Sequence, residues 1–85
     1  IRLLLREART LKDKRRVLNS IKDRLRNEFN ISIAEVESLD NRRIAVLGIA
    51  MVSNEARHLR SGLGQIVEAL RSHPVAELID HELDA

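Results

Sequence analysis

Apolar and polar positions alternate along this chain with two different periods, and the order of those periods predicts its elements. "IRLLL", residues 1–5, reads as a short strand that lacks its first residues. From residue 10 the period lengthens to that of a helix. Leu11, Val17, Leu18, Ile21, Leu25 and Phe29 fall within one arc of about 120° at 100° per residue. Thr10 is placed to cap this helix, with Asp13 three positions on in a capping-box-like arrangement. "ISIAEVES", residues 31–38, alternates and is rich in β-branched side chains, so it reads as a strand. "LDNRR" is turn chemistry, with Asp40 and Asn41 as the residues tolerant of left-handed backbone. "IAVLGIAMV", residues 44–52, is apolar on both alternating faces, as a central strand covered on both sides would be. Ser53 or Asn54 is expected to cap a second helix, in which Ala56, Leu59, Leu63, Ile66, Val67 and Leu70 share one face. Gly62 and Gly64 lie inside that helix at a cost of about 1 kcal/mol each relative to Ala. Pro74 is expected to end it, and "VAELIDHELD", residues 75–84, reads as the last strand.

The order is β-α-β-β-α-β. Two right-handed βαβ units sharing one sheet make an α+β, ferredoxin-like sandwich: an antiparallel four-stranded sheet with two helices on one face. Strands one and three are expected in the middle. No linker, repeat or low-complexity tract divides the chain, so residues 1–85 read as a single domain. The third strand adds a consequence for partners. One of its faces is Ile44, Val46, Gly48, Ala50 and Val52, and the other is Ala45, Leu47, Ile49 and Met51. Two helices bury only one of these, and a soluble monomer seldom leaves the other as a contiguous apolar patch. A homodimer through the open sheet face is the expectation, on the frequency of two-fold homo-oligomers; a surface for another protein is the alternative.

Charge changes the picture of the first helix. The net charge is only +2, but residues 1–26 hold ten Lys or Arg against three acids, a net +7, and the remainder carries −5. Four cations, Lys12, Lys14, Arg15 and Arg16, occupy the first two turns, where the helix dipole prefers Asp or Glu. On a helical wheel Lys12, Arg15, Arg16, Lys22 and Arg26 form a stripe beside the apolar arc, about 21 Å long at 1.5 Å per residue. That length suits several phosphates of a nucleic-acid backbone. The competing reading is that these side chains snorkel and shield the apolar stripe, with Asp13 and Glu7 partly restoring the expected sign. Lys14 departs from the stripe and falls near the centre of the apolar arc. Either its ammonium reaches past the sheet edge into water, or it points into a crevice at the end of the sheet as a candidate ligand for a phosphate or carboxylate.

Other chemistry is largely excluded. There is no cysteine, hence no disulfide framework, thiolate nucleophile or thiolate metal site. His58, His73 and His81 lack metal-ligand spacing, so no metal and no cofactor is expected. His73 stands before Pro74 at a helix end, where a cation would suit the dipole. Asp80, Glu82 and Asp84 alternate along the last strand, where charges deter edge-to-edge pairing. Nothing assembles a nucleophile, a base and an orienting group, so catalysis is not expected. No apolar run approaches the roughly 20 residues that span a bilayer, so a soluble, cytoplasmic protein is expected. RNA-reading sheets of this topology stack bases on aromatic residues, and this chain has Phe29 but no Tyr or Trp. Any RNA contact should therefore run from the helix cations to phosphates.

"ARTLKDKRRVLNSIKDRLRNEFNISIAEVE", "AVLGIAMVSNEARHL" and "HPVAELIDHELD" together resemble the YlxP-like proteins, small bacterial proteins catalogued as a domain of unknown function. The most specific part is the opening of helix one: Thr10, Leu11, Lys12, Asp13, Lys14 and Arg15. The resemblance implies a ferredoxin-like fold and no established activity. Genes of the family often adjoin those for translation initiation, transcription termination and ribosome-binding factors, which implies a setting in ribosome assembly or RNA metabolism. The family often carries an aromatic residue between strands two and three, where this chain has Asn41, Arg42 and Arg43. The combined expectation is a non-catalytic factor bound to RNA or a ribosomal particle, with Lys12, Arg15, Arg16, Lys22 and Arg26 on phosphates. A homodimeric protein-interaction module without a nucleic-acid role is the alternative.

Overall fold

A computed structural model describes residues 1–83. Its elements follow the predicted order: β1 (Arg2–Leu4), α1 (Leu11–Glu28), β2 (Ile31–Glu37), β3 (Ile44–Met51), α2 (Ala56–Arg71) and β4 (Glu77–Asp80). The strands form one sheet in the order β2-β3-β1-β4, antiparallel throughout, which is the α+β ferredoxin-like arrangement. β1 and β3 are central, so β2 and β4 carry the free edges.

α1 starts where its capping residues dictate. Thr10 is extended, and its Oγ1 accepts the Asp13 N–H at 3.1 Å. Asp13 Oδ2 reaches back one residue further than a standard capping box and accepts the Arg9 N–H, also at 3.1 Å. That bond, more than any other effect, holds the Asp13 carboxyl below the usual carboxylate range. α2 begins later than expected. Its N-cap is Glu55, with no side-chain cap bond, while Ser53 Oγ accepts the Glu55 N–H at 3.2 Å in a local turn just ahead of the helix. Ala56 is accordingly exposed rather than part of the buried face, which consists of Gly62, Ile66, Val67 and Leu70, with Leu59 and Leu63 half-buried. The helix stops at Arg71, before Pro74, and the Ser72 hydroxyl donates to the terminal carbonyls of Glu68 and Ala69.

Both helices cover the face of β3 that carries Ala45, Leu47, Ile49 and Met51. Leu3, Leu18, Ile21, Leu25, Leu47, Ile66 and Leu70 are almost wholly buried between the layers. Gly62 makes room for this contact: a Cβ there would lie 2.8 Å from Met51 Cε. The last strand is shorter than its alternating pattern. A register shift against β1 falls between Leu78 and Asp80, and regular pairing ends at Asp80, so Glu82 lies beyond the strand. Asp84 is outside the described residues. On the uncovered face, Val36 of β2 is 56% exposed beside half-buried Ile44, Val46 and Gly48 of β3, exposed Arg2 of β1 pairs with Val46, and Ile79 on the far edge strand β4 is 49% exposed. A bulge in β2 after Glu35 brings Val36 over Gly48, 3.0 Å from where a Cβ would stand.

Candidate functional site

The stripe of α1 is displayed as its spacing requires. Lys12, Arg15, Arg16 and Arg26 are exposed and Lys22 is half-buried. None of the five has an acidic partner within 4 Å among the described residues; the ion pairs join Arg6 to Glu77, Lys14 to Glu35, Arg24 to Glu28 and Arg71 to Glu68. Arg26 differs from the rest, because its Nη2 donates to the Ile33 carbonyl at 3.0 Å. This bond occupies part of the guanidinium and caps a carbonyl of edge strand β2. It also places the Arg15, Lys22 and Arg26 flank of the helix along the free β2 edge, since these residues share one side of the wheel.

Lys14 does not reach water. It is 1% exposed, and its Nζ lies 2.5 Å from Glu35 Oε2 and donates to the Ser38 carbonyl at 2.7 Å. Glu35 Oε2 accepts no hydrogen bond of ordinary geometry, so the contact is an ion pair in a nearly dry setting. The reading of Lys14 as a solvent-reaching cation is corrected. As a ligand for an external anion it lacks an open ammonium, because a carboxylate of the protein already fills the crevice. The reason is the position of β2, whose inward side is Ile31, Ile33 and Glu35; Glu35 meets the apolar arc of α1 where Lys14 sits. Ser38 has φ 58°, and it, rather than Asp40 or Asn41, takes the left-handed backbone of the turn. Its carbonyl also accepts the Asn41 N–H at 3.0 Å, so Lys14 holds the strained end of the hairpin.

A second group of cations comes together only in the fold. Arg9, before α1, and Arg42 and Arg43, in the β2–β3 turn, line the walls of two hollows of about 630 and 580 Å³. Thr10 and Leu11 border the first, Arg6 and Glu7 the second, and Asp40 also borders the first. The turn is held firmly: Asn41 Oδ1 accepts the N–H groups of Arg43 and Ile44 at 2.9 and 3.0 Å, and the Arg43 carbonyl accepts the Leu5 N–H at 2.7 Å. Arg6 is tied to Glu77 at 2.9 Å, and Arg9, Arg42 and Arg43 have no such partner among the described residues. In sequence Arg9 stands more than thirty positions before Arg42 and Arg43, so the wheel of α1 alone could not assemble them.

His73 also departs from expectation. Its Nδ1 accepts the N–H groups of Val75 and Ala76, at 3.3 and 3.2 Å, which requires the neutral ring with its proton on Nε2. Burial, and after it the Arg24 guanidinium, holds its pKa below the ordinary imidazole value. It fastens the connection to β4 as an acceptor rather than standing as a cation at the helix end.

These features define a small two-layer α+β domain with a cationic helix flank and loop end and an open apolar sheet face. The chain belongs to the family described as "Protein of unknown function (DUF503)", whose model matches residues 1–83. It is 35% identical over 71 residues to the uncharacterized protein YlxP of Bacillus subtilis (strain 168), covering 84% of this chain and 77% of that protein.

Proposed function

We propose that this chain is a non-catalytic, cytoplasmic factor associated with RNA or the ribosome, gripping phosphates through the outer flank of α1. The observation that carries the reading is that Lys12, Arg15, Arg16 and Lys22 stand without an acid within 4 Å among the described residues, the first three of them in the opening turns of a helix whose dipole disfavours cations there. Departures from a local rule of this kind concentrate where function demands them. The sheet supports phosphate contact over base stacking, since Phe29 is the only aromatic residue and packs against the core. No helix among the described residues is long and apolar enough to cross a membrane.

The test is equilibrium binding of the purified protein to structured ribosomal RNA across a salt series. Four or five phosphate contacts give a log–log slope of roughly −3 to −4.5, at about 0.7–0.9 per contact. Charge reversal by Arg15→Glu with Arg16→Glu weakens binding and leaves the melting temperature in place; equal loss of both makes these residues structural. Absence of binding at low salt overturns the reading. A second reading, a homodimeric interaction module, draws on the half-exposed Ile44, Val46, Val36 and Ile79 of the open sheet face.

A further inference from the structure

We propose that the arginine cluster at the loop end, Arg9, Arg42 and Arg43, is the second half of the phosphate grip, so that an RNA backbone held by the flank of α1 continues across the β2–β3 turn. This rests on the RNA reading above and names where on the molecule the strand runs. Three observations carry it. The three arginines share the walls of two hollows, and the first of these is also lined by Thr10 and Leu11, so the cluster adjoins the first turn of α1 that bears Lys12. Among the described residues no ion pair neutralises their guanidinium groups: Glu7 and Asp40 border the hollows, yet neither forms an ion pair with an arginine within 4 Å. The backbones of two of the three are pinned at 2.7–3.1 Å, Arg9 through Asp13, and Arg43 through Asn41 and Leu5.

Concentrating like charge beside the positive end of a helix dipole raises the free energy of the unliganded protein. A polyanion relieves that repulsion, whereas a neutral or basic partner does not. Arginine suits the task because its planar fork takes two phosphate oxygens at once. No aromatic ring lines either hollow, which again matches a sugar–phosphate strand and not a stacked base.

The experiment compares wild-type protein, Arg42→Gln with Arg43→Gln, and Arg42→Lys with Arg43→Lys on the same structured ribosomal RNA over the same salt series, with a melting curve for each. The Gln variant should show a slope shallower by about 1.4–1.8 and, if the 1 M intercepts coincide, about 25- to 60-fold weaker binding at 0.1 M salt. Its melting temperature should be equal or higher, since repulsion has been removed. The Lys variant should keep the slope. If wild type binds and the Gln variant keeps the full slope, the cluster is not part of the grip while the α1 reading stands. If wild type binds no RNA, both fall together. Loss of binding with a lowered melting temperature makes the two arginines structural and also overturns the proposal.

Discussion

Lys14 shows how much one residue's role depends on what the fold places opposite it. A lysine in the centre of an apolar arc is costly to bury unless an acid meets it, and Glu35 does so from the inward side of β2. Such a pair contributes little net stability when intact, but removing one partner strands the other charge. Lys14→Met should cost about 3 kcal/mol, leaving Glu35 only 15% exposed and unpaired. Against a total of about 4–13 kcal/mol for a chain of this length, that is a large share. Lys14→Met with Glu35→Leu should return to within about 1 kcal/mol of wild type, because two apolar side chains satisfy the same space. Urea unfolding of both variants checks this; a double variant as weak as the single one would mean the ion pair itself supplies the stability. The arc and its anomalous lysine were legible from sequence. The inward side of Glu35 also follows from alternation with Ile31 and Ile33, but its pairing with Lys14 was not legible, since nothing within β2 says which part of α1 packs over it.

At the scale of elements, the connection from α2 to β4 depends on one unprotonated nitrogen. His73 Nδ1 accepts two N–H groups that pin the start of β4, and its folded pKa lies below the ordinary 6.5. As pH falls, the unfolded chain therefore takes up a proton before the folded one does. The contribution is complete above about 6.5 and is lost as pH falls through the lower folded value. Melting temperature should decline between pH 7 and 5, and His73→Asn, which offers a carbonyl acceptor without titrating, should flatten that decline. An unchanged pH profile in the variant would sink the assignment. Asp13 acts in a separate, more acidic window, because its pKa is held below 3.8 and its capping contribution is lost only as pH falls through that lower value. Element order and type were readable because apolar period separates helix from strand. The ends were not: Ser53 makes its own turn, Ser72 closes α2 ahead of Pro74, and a register shift against β1 shortens β4.

For the molecule as a whole, the sheet has one covered face and one open face, and the open one is where a second copy would sit. Val36 lies over Gly48 with Val46 and Ile44 of β3 next to them, Arg2 of β1 stands beside Val46, and Ile79 lies on the far edge strand β4. In the dimer reading, sedimentation equilibrium finds a two-fold species at micromolar concentration, and Val46→Arg converts it to a folded monomer by placing a second cation beside Arg2 of the paired strand, within the interface. A wild-type protein that stays monomeric into the high micromolar range would remove this reading. It would leave the cationic surface untouched, since the α1 flank and the arginine turn do not lie on the open sheet face.

Sequence by itself determined the strand and helix order, the central position of β3 and the cationic flank of α1. Each of these follows from period and spacing within one segment. Tertiary structure alone decided that Lys14 is buried against Glu35, that His73 is an acceptor, and that Arg9 meets Arg42 and Arg43. Those outcomes join residues far apart in the chain, and no local pattern encodes a partner that arrives from another element.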